Sequence, residues 1–102
     1  MQADTVIRNA RIVDGAGTPW FRGDVAITNG RITAVGRLPE GTQGKAVIDV
    51  RERYLMPGFV DTHTHSDLVL LENPGADGKL AQGVTTQAIA QCGYSCRLFP
   101  SV

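Results

Sequence analysis

One segment in the first half of the chain, Asp24–Val35, limits the possible folds more than any other. At its centre is an Asn-Gly pair, which supplies the two positive φ angles of a type I′ turn and so predicts a two-residue β-hairpin. Side chains alternate along a strand, so in this register the apolar residues share one face. The predicted pairs are Ile27 with Ile32 and Val25 with Ala34. The first half is therefore expected to be a small antiparallel sheet with one buried side.

The remaining strand and turn signals divide the chain into two parts. Further β-branched runs lie before the hairpin and after a loop at 36–44, and Met56-Pro57-Gly58 then interrupts the chain. Beyond it come a short apolar run at 59–61, a short helix predicted over 77–82 and a second strand predicted over 84–90. Strand, helix and strand in this order indicate a parallel sheet. We therefore expect two domains, 1–56 and 57–102, of mixed β and α/β class.

Composition and charge argue against several kinds of partner. Ten Lys and Arg residues balance ten Asp and Glu residues, so a chain of zero net charge has no general attraction to nucleic acid or anionic lipid. No apolar run approaches the roughly 20 residues that span a bilayer, and the amino terminus lacks a secretory signal. Two cysteines do not form a disulfide framework. We therefore expect a cytoplasmic protein that binds neither nucleic acid nor membrane.

The residues best suited to chemistry follow the two predicted parallel strands. His63 and His65 are the only histidines, and on an extended strand they point the same way, as does Asp61. Cys92 follows the second strand, and the carboxyl ends of neighbouring parallel strands meet at one edge of the sheet. Imidazole and thiolate are zinc ligands, so the pattern predicts a metal site. Solvated histidines and a buried free cysteine remain the alternative interpretation.

Other polar residues in this half carry weaker signals. Ser95 could donate a hydrogen bond to a substrate anion, although an ordinary loop serine explains it as well. Cys96 is interpreted as structural. Asp67 and Glu72 follow the histidines and are interpreted as solvated loop charges.

These residues resemble a known family. Met56–His65 resembles the first barrel strand of the amidohydrolase superfamily, whose members are metal-dependent hydrolases built on a distorted (β/α)₈ barrel. The preceding part resembles the small β-sandwich that accompanies this barrel. Gln82–Thr86 and Gln91–Ser95 are similar to the N-acyl-D-amino-acid deacylases (D-aminoacylases), with Gln91 in place of the usual Asn. The resemblance implies a small antiparallel β-sandwich part followed by the first β/α units of an incomplete (β/α)₈ barrel.

The resemblance also implies a site. His63 and His65 match the metal-binding pair of the superfamily, and Cys92 matches the cysteine that binds zinc in the deacylases. Asp61 then supports the ligands without binding the metal itself. The expected cofactor is one or two Zn²⁺ ions, and the expected substrate is a small N-acyl-D-amino acid.

The resemblance further implies that the 102 residues are the amino-terminal portion of a longer enzyme. The general base is expected from a later barrel strand, so no catalytic residue is expected here. A (β/α)₈ barrel needs about 250 residues, and open strand edges must be covered by the rest of the barrel or by other chains. We therefore expect the isolated chain to be inactive.

Two other functions remain open. A cyclic amidase of the dihydropyrimidinase or dihydroorotase type shares the histidine pair but has no need of Cys92. A non-catalytic β-rich interaction module, in which the histidines are incidental, binds no metal.

Overall fold

The computed structural model describes residues 1–93 and divides into two compact units, Met1–Pro57 and a second that begins at Gly58. The strands of the first unit are β1 (Gln2–Ile12), β2 (Phe21–Thr28), β3 (Arg31–Gly36), β4 (Gln43–Asp49) and β5 (Tyr54–Leu55). The second contains β6 (Phe59–Asp61), α1 (Val69–Glu72), α2 (Asp77–Leu80), β7 (Val84–Gln87) and a 3₁₀ turn (Gln91–Gly93). Within 1–93, no helix is both long and apolar enough to cross a membrane.

The first unit is one mixed sheet rather than the antiparallel sheet that was predicted. The strand order is β3-β2-β1-β4, and β5 pairs with the far end of β1. The β1–β2 and β2–β3 pairs are antiparallel, whereas β4 and β5 run parallel to β1. The antiparallel prediction fails because the chain crosses from one sheet edge to the other after β3. Strand β4 therefore enters beside β1 in the same direction.

The predicted hairpin turn is confirmed, but its register is only partly correct. Asn29 and Gly30 have φ angles of 52° and 70°, as a type I′ turn requires. Ile27 pairs with Ile32 as predicted, whereas Val25 pairs with Val35 and not with Ala34. An extra residue in β3, Thr33, causes this shift, and its hydroxyl donates a 3.2 Å hydrogen bond to the Ala26 carbonyl.

Apolar clusters lie on both faces of the sheet, so the prediction of one buried side is wrong. Val6 pairs with Ala26 and the next residue, Ile7, pairs with Val25. Successive residues of a strand point to opposite faces, so these two pairs belong to different clusters. One cluster contains Ala3, Val6, Ala26 and Leu38, and the other contains Ala10, Ile12 and Val25. Leu38 follows β3 and packs in the first cluster, so the loop supplies apolar contact to a face that was expected to be solvated.

The predicted strand–helix–strand order of the second unit is confirmed. Strands β6 and β7 are parallel, and both short helices lie between them in the chain. Gly83 ends the second helical segment with a φ of 82°, and its N–H donates to the Leu80 carbonyl at 2.9 Å. At the start of β6 the backbone comes very close to β7. A Cβ atom on Gly58 would lie 2.0 Å from Oγ1 of Thr85, so this position accepts only glycine without rearrangement.

Candidate metal centre

The two histidines lie in the loop that follows β6 rather than on the strand itself. Strand β6 ends at Asp61, and the Thr64 N–H between the histidines donates to the Ala88 carbonyl at 3.3 Å. Although the segment is not a regular strand, the rings of His63 and His65 remain neighbours, with centroids 5.3 Å apart. The two rings are therefore close together, as predicted, but a loop and not the alternation of a strand brings them there.

Cys92 reaches the histidines from a turn and not from a strand end. Strand β7 stops at Gln87, and Ala90 and Cys92 both adopt left-handed backbone conformations, with φ angles of 65° and 56°. This turn places the Cys92 Sγ atom 3.5 Å from Nε2 of His63. One ligand atom from each of His63, His65 and Cys92 lies within 4.8 Å of the other two. The structure thus brings together the three residues that the sequence singled out.

The chemistry and spacing of these three groups fit a zinc ion. Zinc binds imidazole nitrogen at about 2.0–2.1 Å and thiolate sulfur at about 2.3 Å in tetrahedral geometry, so two such ligands lie about 3.5 Å apart. The Cys92–His63 distance of 3.5 Å agrees with that value. All three side chains are exposed in the described structure, which leaves them accessible to an ion and to a further ligand.

Asp61 supports the loop backbone rather than an imidazole ring. Its Oδ1 atom accepts a 3.3 Å hydrogen bond from the His63 main-chain N–H, and its Oδ2 atom accepts one from Nζ of Lys79. The Lys79 ammonium group, followed by the His63 N–H, holds the pKa of the Asp61 carboxyl below its usual range. The ionised carboxylate therefore fixes the start of the histidine loop to helix α2, which carries the lysine.

Asp67 is buried, so its interpretation as a solvated loop charge is wrong. Its relative exposure is 7%, and its Oδ1 and Oδ2 atoms lie 3.4 Å and 3.2 Å from the Ala90 N–H, which donates to the carboxylate. Glu72, by contrast, is exposed as expected. The sequence offered no signal for this burial, because the apolar run that follows Asp67, Leu68–Leu71, is itself largely exposed. Ser95 and Cys96 lie outside the described residues.

Comparison with known proteins gives concordant matches. The sequence profile of the amidohydrolase family matches residues 46–96. N-acyl-D-aspartate deacylase of Alcaligenes xylosoxydans xylosoxydans is 45% identical over 94 residues, which are 92% of this chain and 19% of that protein.

Two solved structures show similarity of different degrees. The zinc and phosphonate-inhibitor complex of N-acyl-D-glutamate deacylase from Bordetella bronchiseptica matches with a TM-score of 0.86 and 35% identity, over 95% of this chain and 20% of that one. L-hydantoinase (dihydropyrimidinase) from Arthrobacter aurescens matches with a TM-score of 0.55 and 26% identity, over 64% of this chain and 14% of that one. The chain therefore spans about a fifth of the length of the two deacylases that it matches.

Proposed function

The chain belongs to the amidohydrolase family, and we propose that it forms part of a metal-dependent enzyme that deacylates N-acyl-D-amino acids. The observation that carries this proposal is the grouping of His63, His65 and Cys92 within 4.8 Å of one another. The 45% identity to an N-acyl-D-aspartate deacylase supports the same substrate class. The substrate is thus a small molecule with an amide bond between an acyl group and a D-amino acid.

Three side chains bind the metal in the proposed site, and a fourth holds the histidine loop in place. His63 and His65 offer neutral ring nitrogens and Cys92 offers a thiolate, which together suit one or two Zn²⁺ ions. Bound zinc supplies Lewis acidity towards a carbonyl oxygen and acidifies water. Asp61 does not bind the ion in this proposal; it accepts the His63 main-chain N–H and thereby holds the histidine loop in place.

The proposal also assigns each unit to a domain and states where the general base comes from. We propose that residues 1–56 belong to a small β-sandwich domain and that residues 57–102 begin a (β/α)₈ barrel. The general base is then a carboxylate contributed from outside this sequence, and the 102 residues alone do not turn over substrate. Reduced thiols suit the cysteine ligand, which favours action in the cytoplasm.

Metal analysis of cysteine variants tests the proposal directly. We expect the purified protein to bind zinc and Cys92→Ala to bind it at least about tenfold more weakly, because removal of a charged ligand costs more than removal of a supporting residue. Cys96→Ala is the matched control and keeps the zinc affinity. Hydrolysis of N-acetyl-D-aspartate and N-acetyl-D-glutamate, with the L-isomers as controls, then tests the substrate class in the full-length enzyme.

Two results contradict the proposal in different ways. If the purified protein shows no zinc enrichment, His63, His65 and Cys92 do not form a zinc site in it, as expected of a non-catalytic interaction module. If zinc binds equally to the parent protein and to Cys92→Ala, the site is an amidohydrolase site that does not use the cysteine.

A cyclic amidase is the second candidate, favoured by the match to the L-hydantoinase structure. Ring opening of hydantoin or dihydrouracil, with zinc binding unchanged in Cys92→Ala, supports this candidate. The close approach of Cys92 Sγ to His63 Nε2 favours the deacylase instead, because it adds a sulfur atom to the histidine pair.

A further inference from the structure

We propose that Asp67 is a positioning residue that holds the Cys92 turn against the histidine loop. The inference rests on the proposed metal centre and assigns a task to a side chain that neither binds the metal nor acts on substrate. Its basis is the hydrogen bond from the Ala90 N–H to the Asp67 carboxylate, at 3.2 Å to Oδ2 and 3.4 Å to Oδ1.

This hydrogen bond joins the two segments that carry the proposed ligands. Asp67 lies two residues after His65, and Ala90 lies two residues before Cys92. The backbone hydrogen bonds between the same segments, from Ala88 to the Asp61 carbonyl and from Thr64 to the Ala88 carbonyl, end farther from the cysteine. Of these three connections, the one made by Asp67 is the nearest to Cys92 along the chain.

The backbone at this connection has a conformation that needs support. Ala90 and Cys92 have φ angles of 65° and 56°, in the left-handed region that residues with a Cβ atom seldom adopt. Such conformations persist where surrounding contacts determine them. The Asp67 carboxylate binds the N–H of the first of these residues, and a hydrogen bond to a charged acceptor is stronger than one between neutral groups. The turn is therefore held in the geometry that brings Sγ to His63.

The burial of Asp67 agrees with a positioning task. A carboxylate with a relative exposure of 7% has lost most of its water contacts and needs hydrogen-bond donors from the protein. If the carboxylate is removed, Ala90 is free to leave the left-handed region and the 3.5 Å approach of Sγ to His63 is no longer imposed. Loss of residues that orient metal ligands typically weakens metal binding by about 10–100-fold.

Three variants of the purified protein separate this role from general destabilisation. Asp67→Ala removes the acceptor, and Asp67→Asn keeps one acceptor oxygen without the charge. Asp14→Ala is the matched control, because Asp14 also accepts a backbone N–H, that of Ala16 at 2.9 Å, in an exposed turn of the first unit. The readouts are hydrogen exchange of the Ala90 amide without metal, Zn²⁺ affinity, and the thiolate-to-cobalt charge-transfer band with Co²⁺.

In Asp67→Ala we expect about tenfold or faster exchange of the Ala90 amide, about 10–100-fold weaker zinc binding and a reduced cobalt–thiolate band. The values for Asp67→Asn are expected to lie between those of Asp67→Ala and those of the parent protein. Asp14→Ala is expected to match the parent protein in all three measurements. The inference is overturned if the Ala90 amide exchanges at the same rate in Asp67→Ala as in the parent protein. If Asp67→Ala does not fold, the same comparison is made with Asp67→Asn. If Ala90 exchange responds but the parent protein has no cobalt–thiolate band, the hydrogen bond is real and the proposed metal centre is wrong.

Discussion

Gly58 offers the sharpest test of how closely β6 and β7 must approach each other. Replacement by alanine places a Cβ atom 2.0 Å from Oγ1, 2.4 Å from Cγ2 and 2.7 Å from Cβ of Thr85. Rotation of the threonine side chain moves Oγ1 and Cγ2 but leaves its Cβ where the backbone puts it. The strands must therefore separate for Gly58→Ala to be accommodated.

The distances set the expected magnitude. Extra methyl groups forced into packed positions typically cost about 1–3 kcal/mol, and a 2.7 Å contact with a backbone-fixed Cβ belongs in that range. Thr85→Ala removes the two nearest atoms but keeps the Cβ atom at 2.7 Å, so the double variant should recover only part of the loss. The two substitutions are expected to be strongly non-additive, because they meet at one contact.

Hydrogen exchange at two amides that bridge the strands measures this effect locally. The Phe59 N–H donates to the Gly83 carbonyl and the Ala88 N–H donates to the Asp61 carbonyl, each at 2.8 Å. A cost of about 1–3 kcal/mol corresponds to about 5- to 150-fold at about 1.4 kcal/mol per tenfold change. We therefore expect both amides to exchange faster by this factor in Gly58→Ala than in the parent protein.

Gly78→Ala is the matched control for this experiment. Gly78 lies in α2 with nothing within 4 Å of its added Cβ, so alanine there is expected to leave the strands unaffected. Equal protection of both bridging amides in Gly58→Ala and the parent protein would refute the reasoning from close contact.

Two further predictions concern the first unit. Gly30→Ala should destabilise the β2–β3 hairpin by about 1–2 kcal/mol in urea unfolding, because Gly30 has a φ of 70° and alanine in the left-handed region is strained. Lys45→Met should raise the pKa of Asp4 in an NMR titration, because Lys45, followed by the Asn29 N–H, holds that pKa below its ordinary value. The Asp4 carboxylate thus stabilises the fold above its unfolded-state pKa and loses this contribution as the pH falls through the lower, folded-state value, so Lys45→Met should become less costly in acid.

The parts of the fold that depend on local chemistry could be predicted. The Asn29-Gly30 pair determines its own backbone angles, and Gly83 suits the end of a helical segment, so both features were recognised from the sequence. The β3 bulge at Thr33 was missed because no residue there has an obligatory conformation. The parallel pairing of β4 was missed because it depends on where a loop crosses the sheet, which local periodicity does not record.

In the candidate site, too, features that depend on residue type could be predicted and features that depend on tertiary contact could not. Residue type and spacing selected His63, His65 and Cys92, and the structure brings them together. Neither the left-handed turn at Ala90 nor the burial of Asp67 follows from residue type. Both arise from contact between two segments that are distant in sequence, since Asp67 and Ala90 are 23 residues apart. Aspartate in a loop is usually solvated, and only the tertiary contact distinguishes this one.

The central place of β1 has a consequence for the newly made protein. This strand is synthesised before each of the strands that it pairs with. The hydrogen bond between Gln2 and Gln43 spans 41 positions, and the last residues of β1 pair with Tyr54–Leu55. One side of β1 therefore lacks its hydrogen-bond partners until β4 and β5 have been synthesised, while the β2–β3 hairpin closes early from sequence neighbours. Removal of Gln2–Ile12 would therefore deprive β2, β4 and β5 of the strand that pairs with all three.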